Sequence, residues 1–106
     1  MFARFVELTV KADKKPELLK RMREDIMPVL KTCRGFFDLI PLEVEAEPTK
    51  FFAVSLWHEK YDAERYEKEY FPKIKQMIDP FLTVAPVVKL CRVDATIPEK
   101  VITVAA

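Results

Sequence analysis

Between Ser55 and Tyr70, the stretch SLWHEKYDAERYEKEY holds the chain's only tryptophan, Trp57, its only histidine, His58, and all three tyrosines, Tyr61, Tyr66 and Tyr70. The chemistry open to such a set is narrow. An imidazole that titrates near neutrality can serve as a general base. Tyrosine hydroxyls donate hydrogen bonds, and aromatic faces wall a dry cavity. Aromatic residues at helical spacing more often fill a core than line a pocket, so both roles stay open for Trp57, Tyr66 and Tyr70. His58 is the one catalytic candidate. Strand alternation turns it to the face opposite Trp57, and beside Glu59 and Lys60 it fits a solvated strand end.

Other chemistries lack their parts. With one histidine and scattered acidic residues there is no metal-ligand spacing, and no metal is expected. The two cysteines, Cys33 and Cys91, lie in separate apolar-periodic segments without a histidine in any motif, so both are expected to be reduced core residues rather than nucleophiles or a secreted disulfide framework. A single glycine, Gly35, cannot build a phosphate-cradling loop, which speaks against a nucleotide cofactor. Eighteen Lys and Arg against seventeen Asp and Glu, interleaved along 106 residues, give a net charge of +1 and no basic face for nucleic acid. The opening MFARFVELTV carries Arg4 and Glu7 and has no apolar run of signal or membrane length, so a cytoplasmic protein away from membranes is expected.

The elements that must position these residues follow from periodicity. From Phe2 to Val10, Phe2, Val6, Leu8 and Val10 share one strand face and Ala3, Phe5, Glu7 and Thr9 the other. A helix is expected from about Pro16 to about Thr32, carrying Leu18, Leu19, Met22, Ile26, Leu30 and Cys33, bent by Pro28 and capped by Gly35. FFDLIPLEVE reads as a strand with Phe36, Ile40, Leu42 and Val44 on one face and Phe37 and Leu39 on the other, and Pro41 places it at a sheet edge. FFAVSLWH is a third strand forming a hairpin with it, with Ser55 and Trp57 on one face. Asp62 is expected to cap a second helix bearing Tyr66, Tyr70, Ile74, Met77, Ile78 and Phe81, interrupted at Pro72. Its charges, alternating from Asp62 to Lys75, read as a solvated face. PVVKLCRVDATI closes the set as a fourth strand.

The order strand, helix, strand, strand, helix, strand is the ferredoxin-like βαββαβ arrangement of an α+β domain: a four-stranded antiparallel sheet with both helices on one face. The other sheet face keeps too many apolar residues for solvent, which calls for a second copy of the chain and a homodimer. Residues 1–97 form the domain, and residues 98–106 make a tail expected either to pair as a strand with a partner subunit or to fray.

Four stretches, IMPVLKTCRGF, VSLWHEK, DAERYEKEYFPKI and APVVKLCRVD, resemble the antibiotic biosynthesis monooxygenase (ABM) domains of the dimeric α+β barrel group, over residues 2 to 97. The resemblance implies a fold and a dimer more firmly than a reaction, because members include oxygenases of polyketide rings, quinol oxygenases, haem-degrading enzymes and proteins of no known activity. Laid onto this chain, the catalytic Trp of the haem-degrading type falls at Tyr66, its haem-ligand His near Gln76 and its strand-one Asn near Val6. None has the needed identity, so no haem is expected. For the ring-oxygenating type the strand-three Trp is matched by Trp57, whereas the preceding Asn falls at Ala53 and the helix Tyr at Ala63.

Ring oxygenation of this kind needs no cofactor, since a substrate deprotonated to a phenolate or enolate itself supplies electrons to dioxygen; the site need only be dry, aromatic-lined and furnished with a base or donor. Trp57, Tyr66 and Tyr70 would wall it, with Phe5 or Phe37 closing the floor and Ser55 a further hydrogen-bond donor. Two functions remain open: a cofactor-independent monooxygenase acting on a small aromatic or quinol-like compound, and a non-catalytic dimeric α+β barrel protein that binds a small apolar ligand or has a regulatory or stress role.

Overall fold

A computed structural model describes residues 1–97, so the expected exchange of the tail 98–106 lies outside the described residues. The chain runs β1 (Phe2–Thr9), α1 (Lys15–Arg21), a π-helical segment (Met22–Ile26), α2 (Met27–Thr32), β2 (Phe36–Glu43), β3 (Lys50–Trp57), α3 (Lys60–Glu69), α4 (Phe71–Ile78), a 3-10 turn (Asp79–Phe81) and β4 (Val87–Arg92). All strand pairings are antiparallel, in the order β2-β3-β1-β4. This is the ferredoxin-like α+β arrangement read from the sequence, with β2 and its Pro41 at the edge, where a missing N–H costs no ladder bond.

β1 is central because it can be buried on both sides. Its register sets Phe2 opposite Trp57, Arg4 opposite Ser55, Val6 opposite Ala53 and Leu8 opposite Phe51. Those pairs point toward the helices, and the core forms where they meet Leu18, Ile26 and Leu30 from the first helical run and Ala63, Tyr66, Phe71, Ile74 and Ile78 from the second. Each large apolar side chain fully removed from water there contributes on the order of 1.5–3 kcal/mol.

Local chemistry departs from the simple reading at five places. The first helical run is not one regular helix: the Met27 N–H reaches the Met22 carbonyl across a π turn, and this widened turn precedes the Pro28 ring that lacks a donor. Gly35 is not a helix cap. The helix stops at Cys33, whose backbone is already extended, and Gly35, with φ +80°, lies in a turn closed by the Phe36 N–H on the Cys33 carbonyl at 3.2 Å. In β2 a bulge at Phe37 shifts the register, so Phe36 and Leu39 share the helix-facing side while Ile40 and Leu42 turn outward. Asp62 is the third residue of a capping box whose N-cap is Glu59, not the cap itself. β4 ends at Arg92, short of the expected Ile97. Pro72 does divide the second helical run, at the start of α4.

Behind the sheet, Phe5, Phe52 and Val54 are half-buried, and Ile40, Leu42 and Val87 lie 40%, 44% and 48% exposed. Cys91 is exposed on this same face, so of the two free thiols only Cys33 is a core residue in the chain.

Gly35 is held by more than its turn. An added Cβ would overlap the Asp62 carboxylate, so Gly35→Ala should lower stability by more than the ~1–2 kcal/mol that a left-handed backbone costs an L-residue. Chemical denaturation measures it. Gly35→Asn, which tolerates that backbone, should still be clearly destabilised, though less than Gly35→Ala, if the Asp62 contact contributes; near-wild-type midpoints for both would refute the account.

Candidate functional site

A cavity of about 50 Å³ lies between the helix-facing side of the sheet and the helices. Its floor is β1 and β3, through Arg4, Val6, Leu8, Ala53 and Ser55; its roof is helical, with Tyr66, Phe71 and Ile74 on one side and Met22 and Ile26 of the π segment on the other. The lining is apolar except for three side chains: Arg4, Ser55 and Tyr66.

Arg4 is not among the candidates that residue type and spacing single out. It stands at a core position of β1, between Phe2 and Val6 on the helix-facing side, and is 3% exposed. Its Nε donates to Glu67 Oε2 at 2.5 Å. The guanidinium carbon sits 4.0 Å from the centre of the Phe71 ring and 5.0 Å from that of Tyr66, contacts that offset part of the cost of removing a charge from water. Nη2, however, is buried with no hydrogen-bond partner. Arg4 thus brings a permanent positive charge into the lining of a largely apolar cavity, with one of its nitrogens left without a hydrogen-bond partner. The signal was in the alternation: a charged residue interrupts the apolar set Phe2, Val6, Leu8, Val10. Glu67 likewise shows that α3 is not charged only toward solvent.

Tyr66 is 4% exposed. Burial, only partly opposed by the nearby Arg4 charge, pushes its phenol up to about 12. It is therefore a hydrogen-bond donor across the physiological range and not a base. Ser55 lines the cavity as expected. Its Oγ accepts from Trp57 Nε1 at 2.9 Å and lies 3.5 Å from the Arg4 carbonyl, to which it can donate.

Trp57 is fully buried and stands one layer behind the cavity, 5.0 Å from the Tyr66 ring and edge-on to Phe36. Tyr70 stacks on Tyr66 at 6.2 Å and is outside the lining. The expected floor residues are elsewhere. Phe5 packs on Phe52 on the back of the sheet, where alternation along β1 must send it. Phe37, moved by the bulge, packs edge-on against His58 at 5.2 Å. His58 is exposed and does not line the cavity. Of the aromatic set, Tyr66 alone touches the cavity, with Trp57 and Tyr70 supporting it. Cys33 lies in the core, its thiol pushed up by burial and directed at the Val29 carbonyl. Among the described residues no group of three or more His, Cys, Asp and Glu side chains is arranged to hold a metal ion, and no helix is long and apolar enough to cross a membrane.

No family model and no curated protein sequence matches the chain. Solved structures do. A monooxygenase of Streptomyces coelicolor in complex with nanaomycin D aligns over 88% of this chain and 87% of its own with a TM-score of 0.73 at 12% identity. A protein provisionally named an antibiotic biosynthesis monooxygenase, from Bordetella bronchiseptica, aligns over 88% of this chain and 96% of its own, with a TM-score of 0.75 at 10% identity. A conserved protein from Methanosarcina mazei aligns over 89% and 94%, with a TM-score of 0.72 at 17% identity. At such identities the likeness speaks to architecture. This chain has the fold of the antibiotic biosynthesis monooxygenases, as its sequence resemblance implied.

Proposed function

We propose that this protein is a cofactor-independent monooxygenase that oxidises a small aromatic or quinol-like compound at the Arg4 cavity. The observation that carries the proposal is a buried guanidinium, one nitrogen of it without a hydrogen-bond partner, in the lining of a chamber that is apolar apart from Ser55 and Tyr66. Such a charge lowers the cost of converting a phenol or enol to its anion, and that anion is the electron source the reaction needs. The activated ring carbon bonds to dioxygen, giving a peroxide; loss of water then breaks the O–O bond and leaves a carbonyl. The two hydrogens lost from the substrate, one from that ring carbon and one from its phenol or enol hydroxyl, leave in the water with one oxygen atom of dioxygen, the other oxygen stays in the product as the carbonyl, and no other reductant is required. Arg4 holds the oxyanion, with the Ser55 and Tyr66 hydroxyls beside it, and His58 takes no part. The fold shared with monooxygenases supports the assignment by analogy. The alternative, a non-catalytic binder of the same fold, is the outcome if the cavity binds without turnover.

Oxygen uptake with a panel of quinols and anthrones tests the proposal. Arg4→Met should cut kcat/KM by a factor of 10² or more, the usual cost of losing an oxyanion donor. Trp57→Ala should also lose activity, together with about 3–5 kcal/mol of stability from the emptied core. Absence of uptake above the Arg4→Met background across the panel would sink the enzyme assignment.

Tyr66 gives a prediction in pH. Its proton is held more tightly in the folded state, about 12, than the ordinary 10.0, so folded protein keeps its full stability below pH 10 and loses about 2–3 kcal/mol as pH rises from 10 toward 12. Tyr66→Phe should lack that loss. Parallel denaturation curves for both proteins over this window would contradict it.

The apolar back face supports a homodimer in which two sheets pack face to face. Sedimentation should give a dimer, and Val54→Glu, which sets a charge at the centre of that face, should give a folded monomer. A wild-type protein that stays monomeric at high concentration would refute this.

A further inference from the structure

Outside the cavity, between α1 and the edge strand β2, runs an apolar groove of about 330 Å³. Leu19, Met27, Pro41 and Phe51 line it, and Arg23 stands at its rim. Two side chains, Met22 and Leu39, line both the groove and the cavity. Both are half-buried. They stand where the groove and the inner chamber adjoin.

We infer that groove and chamber are one site, gated by Met22 and Leu39, for an elongated aromatic ligand that carries a single anionic group: the anion on Arg4, the apolar body in the groove. The inference rests on the functional reading of the Arg4 cavity given above. Size supports it, because the chamber alone is far below the roughly 300–1,000 Å³ of small-molecule sites, and the groove brings the pair into that range. Charge supports it, because Arg4, whose buried Nη2 has no hydrogen-bond partner, belongs to the lining of the chamber while apolar side chains make up most of the way in. The gate is built to move. Met22 is an unbranched side chain with three rotatable bonds. It also opens the π segment, where the wider turn leaves the backbone less tightly wound than in α1 or α2. Leu39 follows the Phe37 bulge on an edge strand, which only β3 holds in the sheet. The ligand class is thereby defined by chemistry: an aromatic phenolate or carboxylate, in preference to its neutral analogue.

Equilibrium and stopped-flow binding of 2-naphthoate and of the neutral 2-naphthalenemethanol to the full-length protein tests this. Wild type should bind the acid at least tenfold more tightly than the alcohol. Arg4→Met should erase the preference. Glu67→Gln, a half-exposed position whose carboxylate neutralises Arg4 Nε, should tighten the acid severalfold and leave the alcohol unchanged, and it reads the charge even if Arg4→Met fails to fold. Leu39→Trp, which fills the junction without touching Arg4, should slow association of the acid at least tenfold, whereas Glu64→Trp on the solvent side of α3 should not. Equal affinities for acid and alcohol in wild type, a preference that survives Arg4→Met, or wild-type association in Leu39→Trp would each overturn the inference. Acid-selective binding without oxygen uptake would leave this site standing and sink the oxygenase; uptake on neutral substrates without acid selectivity would do the reverse.

Discussion

One guanidinium between sheet and helices shapes the site. Arg4 enters from the central strand, where an apolar residue would have closed the layer, and its charge must be met from the helical side because β3 offers only Ala53, Ser55 and Trp57 there. Glu67 meets it from α3, and the rings of Tyr66 and Phe71 lie against its plane. A planar cation on aromatic faces is the form of buried charge that costs least. It cannot pack as tightly as leucine, and the space left beside it is the cavity. Ion pair, aromatic stack and cavity therefore share one cause.

The layer is closed at the same end as Arg4 by a small knot of backbone bonds. The Gly35 carbonyl accepts the His58 N–H at 2.9 Å, and the Asp62 side chain sits against Gly35 while accepting from the Glu59 N–H. The end of the first helical run, the start of β2, the end of β3 and the start of α3 are fixed to one another there. Trp57 is the last residue of β3 before that knot. Its indole is consequently held in one orientation, with Nε1 on Ser55 Oγ and its face toward Tyr66. It contributes to the site by stiffening two residues that line it.

The two faces of the sheet do different work. The helix-facing side stores the charge and the cavity, and the back side stays apolar with a polar border in which Lys50 binds Glu7 at 2.8 Å. The groove lies on the helix-facing side too, through Leu39, Pro41 and Phe51. It opens at the edge of the sheet, where β2 carries a proline and a bulge and has a neighbour on one side only. Those features that deny the edge to further strand pairing leave room for a ligand to approach.

Element type and order were legible in the sequence because alternation at period two and recurrence at three and four report which side of an element is buried, and Pro16, Pro28, Pro41 and Pro72 report where the backbone lacks a donor. The same alternation was enough to turn His58 away from Trp57; carried through for Phe5, it would have put that ring behind the sheet rather than on the cavity floor. It could also have flagged Arg4, whose charge falls on the apolar face. What periodicity cannot carry is the fit between elements. The bulge that moves Phe37 shows only in the pairing of β2 with β3, and the capping role passes from Asp62 to Glu59 because the helix begins at Lys60, which leaves Asp62 as the third helical residue of the capping box. Whether an aromatic lines a chamber or stands behind it depends on which side chains leave a gap once all have been packed. That gap is a property of three-dimensional volume, and only the assembled layers, not the linear order of residues, decided that it lies beside Arg4.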